Sequence, residues 1–381
     1  MSPHRPAPTA NDDEVLVASW ASEVQAEALA LDETLRRTDL VLDGVCVELE
    51  RQWRSRCPEA ADLLGADLPV HLRSWLLPAT GKRLRPVMCH WGWVSAGGPA
   101  RGVGRDDTVT VCAALELVHL FALVHDDVMD RSDSRRGRVT THVEAAQAHT
   151  AAGALGDPSL FGDSIAILFG DLALTESWVL AGTLEAPLQR AWADMLRELV
   201  QGQLLDVTGA AARRRDLAQA RRVARLKSGA YTVQRPLLLG ALAARADGDA
   251  LTALEAFGGH VGEAFALRDD VLGIWGDPER TGKPVGDDLL RGKATVLLAE
   301  ARRLLPEDVA ERYLGHRSVI TDADVGVLQQ LMLDVGVLEQ AEQRITHEVD
   351  LALTALDHAD LDATGVAALR SLARSIAWRD A

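Results

Sequence analysis

Lysine is almost missing from this chain: its 381 residues hold four, Lys82, Lys227, Lys283 and Lys293, against 36 arginines. Arginine serves wherever a surface needs only positive charge, so the surviving lysines mark places that want a compact ammonium group. Cysteine is scarce too. Cys46, Cys57, Cys89 and Cys112 form no CxxC pair and no secreted-type disulfide framework, which leaves reduced, buried thiols and a cytoplasmic protein as the expectation. Positive net charge is absent: the balance of -16 excludes sequence-independent nucleic-acid binding, which needs a basic surface to displace counterions. Anionic ligands must therefore be held by local clusters. The longest apolar run, Val109 to Val124, is interrupted by Glu116 and His119, so no transmembrane helix is expected. Residues 1–10 carry three prolines and lack the apolar stretch of a secretory signal, and residues 1–12 read as a flexible tail.

Aromatic residues are only 4% of the chain and no segment alternates like a strand, while apolar residues reach 48%. Alanine, leucine, arginine and glutamate dominate, a helical composition. Glycine and proline cluster at 95–105, 152–162, 276–292 and 305–307, and these breaks delimit long helices near 14–36, 106–130, 163–184, 187–208, 249–275 and 338–357. Helices this long and apolar belong inside a large bundle. The fold class is all-α, with residues 13–381 read as one domain.

Two acidic clusters end two of these helices. Asp126 and Asp130 share a helical face, with Asp127 beside them. Left alone, three carboxylates at a helix C-terminus would repel one another and the helix dipole. A hard divalent cation relieves both, and magnesium takes carboxylate oxygens while bridging to substrate phosphates. Asp269 and Asp270 close the second helix, and Asp277, Lys283, Asp287, Asp288 and Lys293 follow among glycines that let backbone approach a ligand. A solvated acidic helix end or loop is the plainer reading of either cluster by itself.

The opposite charge comes from Gly81-Lys82-Arg83-Leu84-Arg85-Pro86 and from residues 131–138, where arginine can fork phosphate and lysine adds a point charge. Neither is a P-loop, since no GK[ST] follows a correctly spaced glycine. His119 and His125 sit in apolar surroundings where a structural histidine is the commoner case, although His119 lies two turns before Asp126.

Taken in order, Gly81–Pro86, Asp126–Asp130 with Arg135-Arg136-Gly137, Gly202-Gln203 with Asp206, Lys227–Thr232, Asp269–Asp277 and Gly282–Thr295 resemble the motifs of the trans-isoprenyl diphosphate synthases (polyprenyl synthetases), most like the bacterial geranylgeranyl type. The resemblance covers roughly residues 70–300. It implies an all-helical homodimer with a central apolar cavity, and no nucleic-acid partner. It also implies magnesium-dependent condensation of isopentenyl diphosphate with an allylic diphosphate (dimethylallyl, geranyl or farnesyl), giving mainly geranylgeranyl diphosphate. Carried over residue by residue, Asp126, Asp127, Asp130, Asp269 and Asp270 become ligands of three magnesium ions. Arg135, Lys227 and Lys283 become the allylic diphosphate site. Lys82, Arg85, His119 and Arg136 become the isopentenyl diphosphate site, and Phe121 a floor that sets chain length. Two positions depart from the family pattern: Gly273, where the second motif often has aspartate, and Ala266, where glutamine is common.

Rival readings remain at this stage. A farnesyl or longer-chain synthase differs only in product. A metal-dependent phosphohydrolase could use the His125-Asp126 doublet but gives no role to residues 81–86 or to the second cluster. A non-catalytic partner subunit would account for Ala266 and Gly273, but the first motif and all four lysines are present.

Overall fold

A long helix lies at the centre with the middle of its length buried on every face. In a computed structural model of the protein, Val111 through Leu115, Leu117 and Val118 of α5 (Arg105–Asp130) are all at 0% exposure, because apolar residues occupy every face of its middle. The structure describes residues 10–56, 67–77, 81–135, 137–212, 216–277, 286–290, 293–315, 318 and 320–379, with side chains from residue 30 onward and without those of Asp287 and Asp288.

Before α5 come α1 (Ala10–Arg56), α2 (Leu68–Leu76), α3 (Leu84–Ser95) and α4 (Gly98–Arg101). After it a two-residue hairpin, β1 (Ser134–Arg135) with β2 (Arg138–Val139), leads into α6 (Thr141–Ala151), α7 (Pro158–Ala181) and α8 (Ala186–Ala211). Next are α9 (Leu217–Val223), a π-helix (Ala224–Gln234), α10 (Arg235–Ala243) and α11 (Gly248–Trp275). The chain then forms α12 (Asp287–Leu290), α13 (Val296–Leu304), α14 (Glu307–Leu314), α15 (Asp322–Asp334), α16 (Val337–Ala355) and α17 (Ala363–Ala377). The helix expected near 14–36 continues to Arg56, and it begins at Ala10, inside the segment read as a tail. The other long helices fall within a few residues of their expected limits.

Local chemistry sets the boundaries. Asp157 accepts the Ser159 N–H at 2.9 Å with Pro158 in the first turn of α7, and Asp247 accepts the Ala250 N–H at 2.8 Å to start α11. Fully buried Trp192, Phe169 and Phe257 fill the space between helices, each contributing on the order of 1.5–3 kcal/mol or more.

Two helices, α5 and α7, are long and apolar enough to cross a membrane by length and composition alone, a test that the core helix of a soluble protein also meets. In α5 the most apolar window is 61% buried within the protein, so its hydropathy is spent on the core. In α7 that share is 33%, and Leu160, Ile167, Leu168, Trp178 and Val179 stay exposed.

Candidate active site

Asp126 on α5 and Asp269 and Asp270 on α11 line one cavity of about 390 Å³, together with Asp206, Lys227 and Lys293. A more open hollow of about 700 Å³ lies between α6 and the start of α7 and holds no member of either acidic cluster. The smaller one brings members of both acidic clusters together.

The first cluster is not a set of unpaired acids. Lys227 Nζ stands 2.8 Å from Asp126 Oδ1 and 2.6 Å from Asp206 Oδ2, and Gln203 Nε2 donates to Asp126 at 3.2 Å. Burial pushes the Asp126 carboxyl upward, but Lys227, then Lys293 and Arg135, outweigh it and hold the group below the usual carboxylate range. Lys227 answers in kind, kept above its ordinary value by Asp126 and Asp206 against the cost of burial. Asp130 meets Lys293 at 3.0 Å. Asp127 is turned inward at 3% exposure, where Arg135 Nε and Nη2 both reach its Oδ1, at 2.7 and 2.6 Å. Burial raises Asp127 despite that partner.

A backbone device makes this possible. Arg131 caps α5 in the left-handed conformation at φ 52°, and Ser132 N bonds back to Asp127 O at 3.0 Å. The chain reverses again at Gly137, φ 74°, a turn that favours glycine. The hairpin so formed folds Arg135 over the helix end.

At the second cluster Asp270 Oδ2 accepts the Val296 N–H at 3.1 Å, which ties α11 to the start of α13. Asp269 is ion-paired with Arg379, whose guanidinium also lies 4.2 Å from the centre of the Phe265 ring. Buried Arg268 delivers it: its Nε donates to Ala377 O at 2.6 Å and its other nitrogens bind Glu342 at 2.8 and 2.7 Å, pinning the end of α17 against α11. Burial, then Arg379, lowers the ammonium of Lys82, and Asp269 opposes the change. Gly273 lines the cavity and Ala266 is buried.

A further basic group forms around Tyr231. Arg85 Nη2 donates to Thr232 Oγ1 at 2.8 Å and its guanidinium lies 4.1 Å from the centre of the Tyr231 ring, while His119 Nδ1 is 3.0 Å from the Tyr231 hydroxyl. Phe121 is half-buried and meets His125 edge-on at 4.6 Å. Lys283 and Arg136 lie outside the described residues.

Asp206, Gln203, Lys293 and Tyr231 stand in the motifs quoted from the sequence but carried no assigned role there, and Arg379 stands in none of them. Asp206 and Gln203 share one helical face, a signal available in the sequence. Arg379 carries none, since only the docking of α17 brings it to Asp269.

The donors on both sides of the cavity are carboxylate oxygens, which suit a hard divalent cation. Among the described residues no three such groups stand close enough to cage an ion unaided.

An all-helical bundle with two acidic clusters facing one cavity, each met by cations, defines a metal-dependent phosphate-handling enzyme. The chain belongs to the polyprenyl synthetase family, whose pattern it matches over residues 72–330, and it is a prenyltransferase. It is 35% identical to a geranylgeranyl pyrophosphate synthase from Corynebacterium glutamicum, solved with isoprenyl diphosphate and magnesium. The TM-score is 0.80, over 90% of this chain and 99% of that one. It is 34% identical to the geranylgeranyl diphosphate synthase of Mycobacterium tuberculosis over 75% of this chain and 78% of the relative. With the geranylfarnesyl diphosphate synthase of Aeropyrum pernix it shares 30% identity over 73% and 83%.

Proposed function

We propose that the protein joins isopentenyl diphosphate head-to-tail to an allylic diphosphate, with geranylgeranyl diphosphate as the main product. The observation that carries this reading is the shared cavity of Asp126, Asp269 and Asp270 with Lys227 and Lys293. Asp126, Asp130, Asp269 and Asp270 would hold magnesium, three ions in all, with Asp127 acting at least as much to fix Arg135. Bound metal would supply Lewis-acid stabilisation of the leaving diphosphate. Lys227 and Arg135 exchange their carboxylate partners for phosphate oxygens as the allylic substrate enters, and Lys283 is the third cation assigned to that diphosphate. Lys82, Arg85, His119 and Arg136 neutralise the second diphosphate without metal. The apolar walls keep water from the allylic cation, the isopentenyl double bond attacks it, and the departed diphosphate takes the proton.

The exposed apolar stripe of α7 continues on α8 through Val200, Leu204 and Val207, and a second copy of the chain is the partner that would cover it. Three described cysteines are free and buried, in keeping with a reducing cytoplasm. Mass analysis of products formed with magnesium, isopentenyl diphosphate and each allylic primer tests the reading, with a twenty-carbon diphosphate expected. Phosphate release from nucleotides without condensation would favour a phosphohydrolase, and no turnover with any primer a non-catalytic subunit.

A further inference from the structure

Tyr231 belongs to no cluster singled out by charge, yet it touches two basic residues that stand 34 positions apart in the sequence. It is 4% exposed, and a buried phenol must place its hydroxyl on a partner. That partner is His119, at 3.0 Å. The face of the ring carries Arg85 at 4.1 Å. Apart from Tyr231, Arg85 has a single hydrogen bond among the described residues, to Thr232 Oγ1, and its Nε has none. Tyr231 is therefore one of the two residues whose described contacts hold this guanidinium.

The tyrosine is itself closely packed. It lies in the π-helix that four residues earlier sends Lys227 to Asp126 and Asp206, and π-helical turns recur at functional sites. Gly229 fixes that segment against α11, where an added Cβ would come within 2.6 Å of Gly262 O.

We infer that Tyr231 is the positioning residue of the isopentenyl diphosphate site, its hydroxyl orienting the His119 imidazole and its ring carrying the Arg85 guanidinium so that both meet one diphosphate. This rests on the assignment of His119 and Arg85 made above. A phenol that donates to Nδ1 selects the imidazole tautomer with its proton on Nε2, the nitrogen then able to donate to a phosphate oxygen. Burial pushes the Tyr231 hydroxyl up to about 12, so it keeps that proton at any working pH.

Tyr231→Phe and Tyr231→Leu in the full-length protein separate the two contacts. Loss of the hydroxyl should raise the KM for isopentenyl diphosphate roughly three- to tenfold, the worth of one hydrogen bond. Tyr231→Leu should add a further two- to fivefold, about the value of a cation–π contact. The KM of the allylic primer should move less than about twofold in both, and Tyr231→Phe should add nothing in a His119→Ala background, since coupled residues are not additive. An unchanged KM for isopentenyl diphosphate, equal weakening of both substrates, or additive losses in the double variant would overturn the inference. Calorimetric binding of isopentenyl diphosphate to the same variants reads the contacts without turnover. A wild type that binds but does not condense would sink the proposed reaction and leave this assignment to be decided by the Kd values; a wild type that does not bind would sink both.

Discussion

Gly202 on α8 lies directly against the amide of Lys227 on the π-helix: a Cβ added there would stand 2.6 Å from Lys227 N and 2.9 Å from the carbonyl carbon of Leu226. Both neighbours are backbone and cannot step aside as a flexible side chain would. Gly202→Ala should therefore shift the π-helix and carry Lys227 off its 2.8 Å contact with Asp126. Overpacking of this kind costs about 1–3 kcal/mol, and misplacing a catalytic group by an ångström costs up to about a hundredfold in rate. Urea denaturation and kcat measure the two effects, and a variant normal in both would show that the contact is not tight.

Asp126→Asn should lower condensation by about a hundredfold or more, as losses of electrostatic stabilisers do. The sequence alone suggests that such a change relieves repulsion and leaves the metal-free protein as stable as before. The structure reverses that expectation, because Asp126 is already neutralised by Lys227 and lies 3.7 Å from Arg135. The metal-free variant should be less stable by about 1–3 kcal/mol, the worth of a hydrogen bond to a charged group. Melts with and without magnesium give the answer, and a variant retaining more than about a tenth of the activity would remove Asp126 from the metal site.

Lys82→Ala should weaken isopentenyl diphosphate about tenfold or more while sparing the allylic primer, since that site has no metal to compensate for a lost charge. Steady-state KM values for both substrates decide it. Equal weakening would mean that the two sites are not divided as proposed.

Phe121 has a rigid backing. Its ring meets His125, whose imidazole bonds to Ile167 O at 3.1 Å and lies so close over Gly170 that a Cβ there would come within 2.3 Å. Phe121→Ala should open the floor and lengthen the product, and Ala122→Phe should shorten it toward fifteen carbons. Chromatography of the dephosphorylated alcohols reads the distribution, and no change in either variant would refute the floor.

His90 should make the fold acid-sensitive. It is fully buried with Nδ1 3.0 Å from Thr34 Oγ1, and burial, then Arg105, lowers its titration to about 4. The native state refuses a proton that the unfolded chain accepts below about pH 6.5, so this contribution is complete above pH 6.5 and is lost as pH falls toward 4. It amounts to about 3 kcal/mol at roughly 1.4 kcal/mol per pH unit. Denaturant titrations between pH 7.5 and 4.5 should show a shallower loss for His90→Phe than for wild type, and equal slopes would dismiss the effect.

Helices of twenty or more residues were legible because their limits are written locally, in caps such as Asp157-Pro158 and Asp247 and in the run of apolar residues between them. Short helices such as α2, α9 and α14 were not, since fewer than ten residues give too little periodicity to read. The π-helix is indistinguishable in sequence from an α-helix, and its close packing against α8 and α11 at Gly202 and Gly229 shows only in the folded chain.

By itself the sequence determined the all-helical class, the family, and which carboxylates and lysines gather at the ends of two long helices, because motif spacing and apolar patterning are properties of the chain alone. Only the tertiary structure decided how those charges are shared. It turned Asp127 onto Arg135, placed Lys227 between Asp126 and Asp206, and set Arg379 against Asp269. It also laid Arg85 over the ring of one tyrosine and brought His119 to its hydroxyl. A charge finds its partner by proximity in space, and proximity between residues a hundred positions apart is fixed only when helices pack.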